Sequence, residues 1–234
     1  MSPRAPRGSR HRASSWQSES SRTADLRVGH ALPRSPAPRR GASCLESSGA
    51  KPRVVEVAAN SIASAVAVQV VGAGRVEPCS AVEPGGLTPS HATIAGGRQR
   101  LHIPGYMPIR PRPGDFVYDA TGLGAMQADI AACAARGCDG MVLGALDADG
   151  GMGQAGCQAL VAAADDLGIA FHRAFDACRD RRQALETPIA LGCGRVLASV
   201  GAPGAEGVAA IHTLVAPAVG RIAAMPGPAS MPGT

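Results

Sequence analysis

From residue 53 onward, short apolar segments typical of strands alternate with segments whose apolar residues recur at helical spacing. Seven strands are predicted, at residues 53–58, 74–79, 102–110, 139–143, 169–172, 195–199 and 221–225. This alternation indicates βαβ units around a parallel sheet. Seven units without a Gly-x-Gly-x-x-Gly motif after the first strand favour a TIM-type (β/α) barrel over a dinucleotide-binding sheet. The predicted fold class is therefore α/β, an apparently incomplete barrel with about seven of eight strands.

Apolar stripes and capping residues locate the helices between these strands. Three buried faces are predicted, one each from Leu123, Met126, Ile130, Cys133 and Ala134, from Cys157, Leu160, Val161, Ala164 and Leu167, and from Val208, Ile211, His212 and Val215. Asn60 or Ser61 can cap the first helix, and Asp180 can cap one that runs toward residue 191. Such caps satisfy amide groups that have no partner within the helix.

The formal charge of +5 is distributed unevenly along the chain. Residues 1–53 hold 11 basic and 3 acidic residues, whereas the remainder holds 12 basic and 15 acidic residues. Residues 1–52, rich in Arg, Ser and Pro, are predicted to be a disordered extension. A non-functional extension, a targeting segment and an interaction tail are the three interpretations of it. Residues 53–227 are predicted to form the barrel and residues 228–234 an unstructured tail. A mildly acidic folded part argues against nucleic-acid binding, which needs Lys and Arg at several phosphates.

Two further features concern the setting of the protein. No apolar run approaches the roughly 20 residues of a membrane-spanning helix, so no membrane association is predicted. The seven cysteines are odd in number and include no Cys-x-x-Cys pair, and no secretory signal opens the chain. These observations favour a reducing, cytoplasmic setting.

Charged residues gather at the predicted carboxyl ends of the strands, where barrels of this class carry their active surface. Glu56, Glu77, His172 and Asp176 are the candidate acid and base groups, and Arg110, Arg112 and Arg173 are the candidate anion-binding groups. Arginine binds anionic oxygens, and Glu or His can move a proton. The structural alternative is an ion-pair network in which the two glutamates face Arg110 and His172.

Several motifs carry a family resemblance. They are G-G-L-T-P-S at 85–90, I-R-P-R-P-G-D-F-V-Y at 109–118, G-A-L-D-A-D-G at 144–150 and F-H-R-A-F-D at 171–176, with R-V-E at 75–77 and G-C-G-R-V-L at 192–197 in the same order. Together they resemble the CutC family, long described as copper homeostasis proteins. The resemblance implies a TIM-type barrel, a cytoplasmic location and a role in copper handling. It places the polar cluster of the family on Glu56, Glu77, Arg110, Arg112, His172 and Asp176.

The resemblance makes copper the implied cofactor, and Cu(I) prefers thiolate and thioether ligands. Cys79 follows Glu77 where family members often have cysteine, but Ala58 stands where a second cysteine is expected. A set of Cys79, Cys178 and His172 is one conceivable metal site. A buried, non-functional Cys79 is the alternative.

Several positions depart from the family pattern. Pro78 lies inside the second strand, Pro108 in the third and Pro188 in a predicted helix. Each removes an amide donor where a regular element needs one. The Pro-rich residues 226–232 replace the expected route to an eighth strand, so a truncated or inactive family member is one hypothesis. A homodimer that covers the unpaired edges is another.

Two functions follow from these residues. The first is a copper homeostasis protein that binds Cu(I). The second is an enzyme or binding protein for a small anionic metabolite, with Glu77 or His172 as acid or base. Guanidinium groups distinguish the two, because Cu(I) has no use for them.

Overall fold

The computed structural model of the protein describes residues 54–199 and 204–227. The predicted extension and the predicted tail therefore lie outside the described residues. The strands are β1 Glu56–Ala59, β2 Arg75–Pro78, β3 Tyr106–Pro108, β4 Gly140–Leu143, β5 Gly168–Phe171, β6 Arg195–Ala198 and β7 Ala223–Pro226. The helices are α1 Ile62–Val70, α2 His91–Arg98, α3 Ala120–Ala135, α4 Gln154–Ala164, α5 Ala174–Ala177, α6 Arg181–Ala184, α7 Glu186–Ala190 and α8 Gly204–Val215.

All strand pairings among the described residues are parallel, and neighbouring strands follow chain order. β1 pairs with β2, and β3 to β7 form a second sheet of five strands. A single parallel bridge between Val76 and Gly105 links the two sheets. The prediction of an α/β fold with seven parallel strands is confirmed. A closed TIM barrel is not, because the described residues contain no pairing of β7 with β1.

Pro78 explains why β2 and β3 share only one bridge. The Val76 N–H donates to the Pro104 carbonyl at 3.0 Å. Amides two residues apart on a strand point to the same neighbour, so the next donor toward β3 belongs to residue 78. Proline has no N–H, and the ladder stops there. Cys79 then donates to Ala59 at 2.9 Å, on the side of β1.

The main core lies between the five-stranded sheet and the helices that follow its strands. Alternate residues of each central strand face this layer, as the two-residue period requires. The largest buried side chains of this core include Met107, Met126, Ile130, Met141, Leu143, Leu160, Phe171 and Phe175. A smaller cluster under α1 contains Ala59, Ala65, Val76 and Leu101.

Two predicted helical faces are broader than the observed ones. Met126, Ile130 and Cys133 are buried on α3, but Ala134 is exposed because it lies 100° around the helix from Cys133. On α8, Ile211 is 7% exposed whereas Val208 is 60% exposed. The predictions were wrong for Ala134 and Val208, which lie at the edges of the apolar faces and are exposed to solvent.

Caps and breaks follow the local chemistry. Ser61, rather than Asn60, caps α1, and its hydroxyl accepts from the Ser64 N–H at 3.1 Å. Asp180 caps α6 as predicted, accepting from the amides of Arg182 and Gln183. The single helix predicted after Asp180 is wrong, because it is divided into α6 and α7. Pro188 is the third residue of α7, where its missing N–H would have no partner within the helix.

Within the described residues, no helix is both long enough and apolar enough to span a bilayer.

Candidate functional site

A cavity of about 260 Å³ lies on the inner side of the strands. Its lining comes from five strands and from the segments that follow β2 and β5. The lining residues are Val54, Glu56, Ala58, Glu77, Cys79, Val82, Gly85, Gly86, Pro108, His172, Arg173, Leu197, Met225, Pro226 and Gly227. Because side chains two residues apart share a face of a strand, Glu56 with Ala58 and Glu77 with Cys79 reach the same space. Five of the predicted site residues are in this lining.

A second, wider groove contains none of the predicted site residues. It has a volume of about 730 Å³ and is lined by Arg179, Asp180, Arg181, Arg182, Ala210, Thr213 and Leu214. Arg179 donates to the Asp149 carbonyl, and Arg181 donates to the Asp176 carbonyl. Since these guanidinium groups already have partners, the groove is a poorer candidate site than the cavity.

The predicted ion-pair network required Glu56 to face Arg110 or His172. In the structure, Glu56 faces neither residue. Its carboxylate pairs with the Arg75 guanidinium, which also donates to Met225 Sδ at 3.1 Å. Arg75 is two residues before Glu77 on β2 and therefore shares its inward face. This spacing, in the motif R-V-E, is the signal that sequence reasoning missed.

The Tyr106 ring supports the Arg75 side chain from below. This ring lies beneath two guanidinium groups, with Arg75 at 4.4 Å and Arg195 at 5.5 Å from the ring centroid. The ring fits there because Gly140 and Gly168 have no side chains, and a Cβ on Gly140 would lie 2.5 Å from the Tyr106 ring. Such cation–π stacking stabilises buried arginine without a carboxylate for each charge.

Glu77 is a protonated acid at neutral pH. Burial is the largest cause that raises its pKa, from an ordinary 4.5 to about 8, and the negative charge of Glu56 acts in the same direction. Arg173 and Arg75 lower the pKa by smaller amounts. Desolvation disfavours a carboxylate, so the neutral carboxyl presents an O–H donor to the cavity.

His172 is a neutral donor. Its Nδ1 accepts from the Ala174 N–H at 3.2 Å, which assigns the hydrogen of the neutral ring to Nε2. Burial, followed by the charge of Arg110, lowers its pKa to about 3. Nε2 is buried and has no hydrogen-bond partner among the described residues. His172 Nε2–H is therefore an unsatisfied buried donor beside the cavity, and an acceptor atom reaches it only if the ring or its neighbours move.

The three predicted anion-binding arginines occupy different places. Arg110 is buried outside the lining, and it donates to the carbonyls of Pro84, Gly86 and Gly114. Arg112 is exposed and pairs with Asp115 at 2.7 Å. Both arginines therefore hold loops, and their role as anion ligands stays a prediction.

Arg173 is the predicted arginine that lines the cavity. Its side chain lies against Gly85, where an added Cβ would be 3.0 Å from Arg173 Cδ and Nε, and where φ is +97°. In the described part of the chain, the Arg173 side chain makes no hydrogen bond or ion pair. Its guanidinium is therefore available to a ligand. Arg173 is also near enough to Glu77 for its positive charge to lower the pKa of that carboxyl.

Asp176 anchors the end of β6. Its carboxylate accepts from the Ser199 N–H at 3.0 Å and from the Ser199 hydroxyl at 2.7 Å. This carboxylate is not in the cavity lining, so its contribution among the described contacts is to join α5 to β6.

The cavity does not fit copper well. Burial and the nearby Glu77 raise the pKa of Cys79 to about 11, which keeps the thiol protonated. Met225 Sδ already accepts from Arg75, and His172 presents an N–H rather than a lone pair. The Cys178 thiol is directed to the Ala174 carbonyl at 3.5 Å. No group of three or more His, Cys, Asp or Glu residues in the described ranges could hold a metal ion.

Comparison with known proteins identifies similar chains. The CutC family model matches residues 53–232. A family protein CutC of Xanthomonas axonopodis pv. citri (strain 306) is 52% identical over 174 residues, which cover 74% of this chain and 72% of the relative. The copper homeostasis protein cutC homolog of Mus musculus is 43% identical over 175 residues, which cover 74% of this chain and 64% of the mouse protein. The chain thus spans less than two thirds of the mouse relative.

Solved structures agree on the fold. The crystal structure of the putative copper homeostasis protein CutC from Streptococcus agalactiae has a TM-score of 0.70 and 30% sequence identity, and the match covers 76% of this chain and 89% of that chain. A phosphonopyruvate hydrolase complex with oxalate and Mg²⁺ has a TM-score of 0.54 at 14% identity, covering 76% of this chain and 68% of that one, and shows likeness of fold alone.

Proposed function

The chain belongs to the CutC family, and we propose that it contributes to copper homeostasis, the role in the name of its mouse relative, by binding a small anionic molecule. The observation that carries this proposal is that, among the described residues, the unpaired polar groups in the cavity are hydrogen-bond donors. The Arg173 guanidinium and the protonated Glu77 carboxyl are donors in the lining, whereas its carboxylate, Glu56, is already paired with Arg75. An anion with several acceptor oxygens complements such a set.

The charges around the cavity favour the same class of ligand. With Glu77 protonated, the charged groups of the lining are the Arg173 guanidinium and the Glu56 carboxylate, and that carboxylate is paired with Arg75. A cation such as Cu(I) would meet net positive charge, whereas an anion would be attracted into the cavity.

If the protein is an enzyme, Glu77 is the group expected to donate a proton to the bound anion. A carboxyl group with a pKa of about 8 can give a proton to a bound anion. A binding protein needs only the donors. Incubation with a bound ligand, followed by analysis of the ligand for chemical change, separates the enzyme from the binding protein.

Anion binding is expected to depend on Arg173. Thermal shift and calorimetric titration with inorganic phosphate and with small carboxylates should show stabilisation of the wild type. The Arg173→Gln variant should bind the same probe at least tenfold more weakly, because one charge-assisted contact is lost. Arg112→Gln is the matched control and should bind like the wild type, since Arg112 is exposed and outside the lining. Equal binding by all three proteins would refute the proposal.

Copper binding by the cavity is expected to be independent of Cys79. Cu(I) affinity, measured by competition with a chromogenic chelator under anaerobic conditions, should differ by less than twofold between the wild type and Cys79→Ser. The reason is that a thiol with a pKa of about 11 must lose its proton beside Glu77 before it can bind the metal. A loss of tenfold or more in Cys79→Ser would instead identify Cys79 as a copper ligand.

The free cysteines support the proposed cytoplasmic location. All six described cysteines are free and buried: Cys79, Cys133, Cys138, Cys157, Cys178 and Cys193. Buried thiols without disulfides are typical of a reducing compartment.

A further inference from the structure

The cavity lining contains both polar and apolar side chains. His172 and Arg173 follow β5. Leu197 of β6, together with Met225 and Pro226 of β7, supplies the apolar wall. A ligand that fills the space would therefore contact the Arg173 guanidinium and this hydrocarbon wall.

The apolar wall is connected to neighbouring side chains and strands. Met225 Sδ accepts from the Arg75 guanidinium, which Glu56 and the Tyr106 ring hold in turn. Leu197 pairs with Met225 in the register of β6 and β7, so the two side chains lie at the same level of the sheet. Leu197 and Met225 therefore present apolar groups to the same space.

The donors fit a carboxylate. The Arg173 guanidinium matches the two coplanar oxygens of a carboxylate. The protonated Glu77 adds one more donor on the same cavity surface. A phosphate has more oxygens and more charge than these few groups can satisfy.

We infer that the ligand is an aliphatic carboxylic acid whose carboxylate binds Arg173 and whose hydrocarbon chain packs on Leu197 and Met225. This inference rests on the proposed anion-binding function and names its ligand class. The cavity volume sets the length of the chain. A space of about 260 Å³ equals about nine water volumes, at roughly 30 Å³ each, which is near the size of hexanoate.

Chain length provides the test. In calorimetric titrations at pH 6.5 with acetate, butyrate and hexanoate, each methylene that enters the cavity should strengthen binding by roughly fourfold. Hexanoate should therefore bind at least tenfold more tightly than acetate. Hexanamide, which has the same chain without the charge, should bind at least tenfold more weakly than hexanoate.

Two variants connect the effect to the apolar wall. Ala58→Leu adds a side chain at an exposed residue that lines the cavity, and should reduce the gain from acetate to hexanoate to less than threefold. Leu197→Ser should weaken hexanoate binding about tenfold and leave acetate unchanged. Because the first variant changes an exposed position, it keeps the test valid if Leu197→Ser fails to fold.

The possible failures are distinct. If acetate and hexanoate bind equally to the wild type, while both still depend on Arg173, the aliphatic ligand class is refuted and the anion site stands. If no probe depends on Arg173, the proposed function fails, and this inference fails with it.

Discussion

The Glu77→Gln variant is expected to be more stable than the wild type at pH 8, by roughly 2 to 4 kcal/mol in the free energy of unfolding. Most substitutions destabilise a protein, so a gain of this size is diagnostic. Its source is the pKa of Glu77, which burial raises to about 8. Glutamine has the size of a protonated glutamate but never ionises. The range allows for the partial exposure of the side chain to water.

The direction of the effect follows from the protons bound in each state. Between pH 4.5 and 8, the folded protein keeps the Glu77 proton and the unfolded chain has lost it. The wild type therefore loses stability as the pH rises through this window. His172 acts oppositely, because its pKa falls from 6.5 to about 3 on folding. Below pH 6.5 the unfolded chain binds the extra proton, so this contribution to stability is lost as the pH falls.

The two slopes cancel between pH 4.5 and 6.5. Stability of the wild type should be flat in that range and should decline from pH 6.5 to 8. The Glu77→Gln variant should show no decline above pH 6.5. Urea unfolding at half-unit steps from pH 5 to 8 measures both curves and stops below 9.0, where ordinary thiols ionise.

Glu83→Gln is the matched control, because Glu83 is an exposed glutamate in the loop near the cavity. Its stability should follow the wild-type curve within about 0.5 kcal/mol at every pH. A decline above pH 6.5 that persists in Glu77→Gln would show that another group binds the proton, and would remove Glu77 as the acid of the site.

The fold was predictable because its signals are local and periodic. The strand and helix order follows from two-residue and 3.6-residue periods, which each segment carries alone. The break between the two sheets depends on Pro78, whose place in the sequence indicated a lost ladder bond but not which neighbour would lose it. The division of α6 from α7 was not predictable, because the sequence shows a proline without showing that it stands in a first turn.

The site was predictable to the extent that side chains alternate between the two faces of a strand. Glu77, Cys79 and His172 reach the cavity as their positions near strand ends indicate. The roles of Arg110 and Arg112 depend on where loop carbonyls lie, which no local pattern encodes. The protonation of Glu77 is likewise a property of the assembled cavity, since burial and Glu56 create it together.

Arg110 is expected to stabilise the fold, and Arg110→Met should lower the free energy of unfolding by about 3 kcal/mol. Its guanidinium is buried and donates to three carbonyls, at 2.6 Å to Pro84, 3.4 Å to Gly86 and 3.0 Å to Gly114. Methionine fills much of the volume but leaves buried carbonyls without donors, and each such loss costs about 1 to 3 kcal/mol. The relief of a buried charge offsets part of that loss.

Arg112→Met is the control for this effect and should cost less than 1 kcal/mol, because Arg112 and Asp115 form an exposed ion pair. Arg110→Lys should not restore stability, since a single ammonium group cannot reach carbonyls of two loops in the planar geometry of guanidinium. Urea unfolding of the four proteins at pH 6 gives the comparison. If Arg110→Met is as stable as the wild type and anion binding is lost, then Arg110 is a ligand rather than a support for the loops. The predicted pair of arginines would then bind the anion together with Arg173.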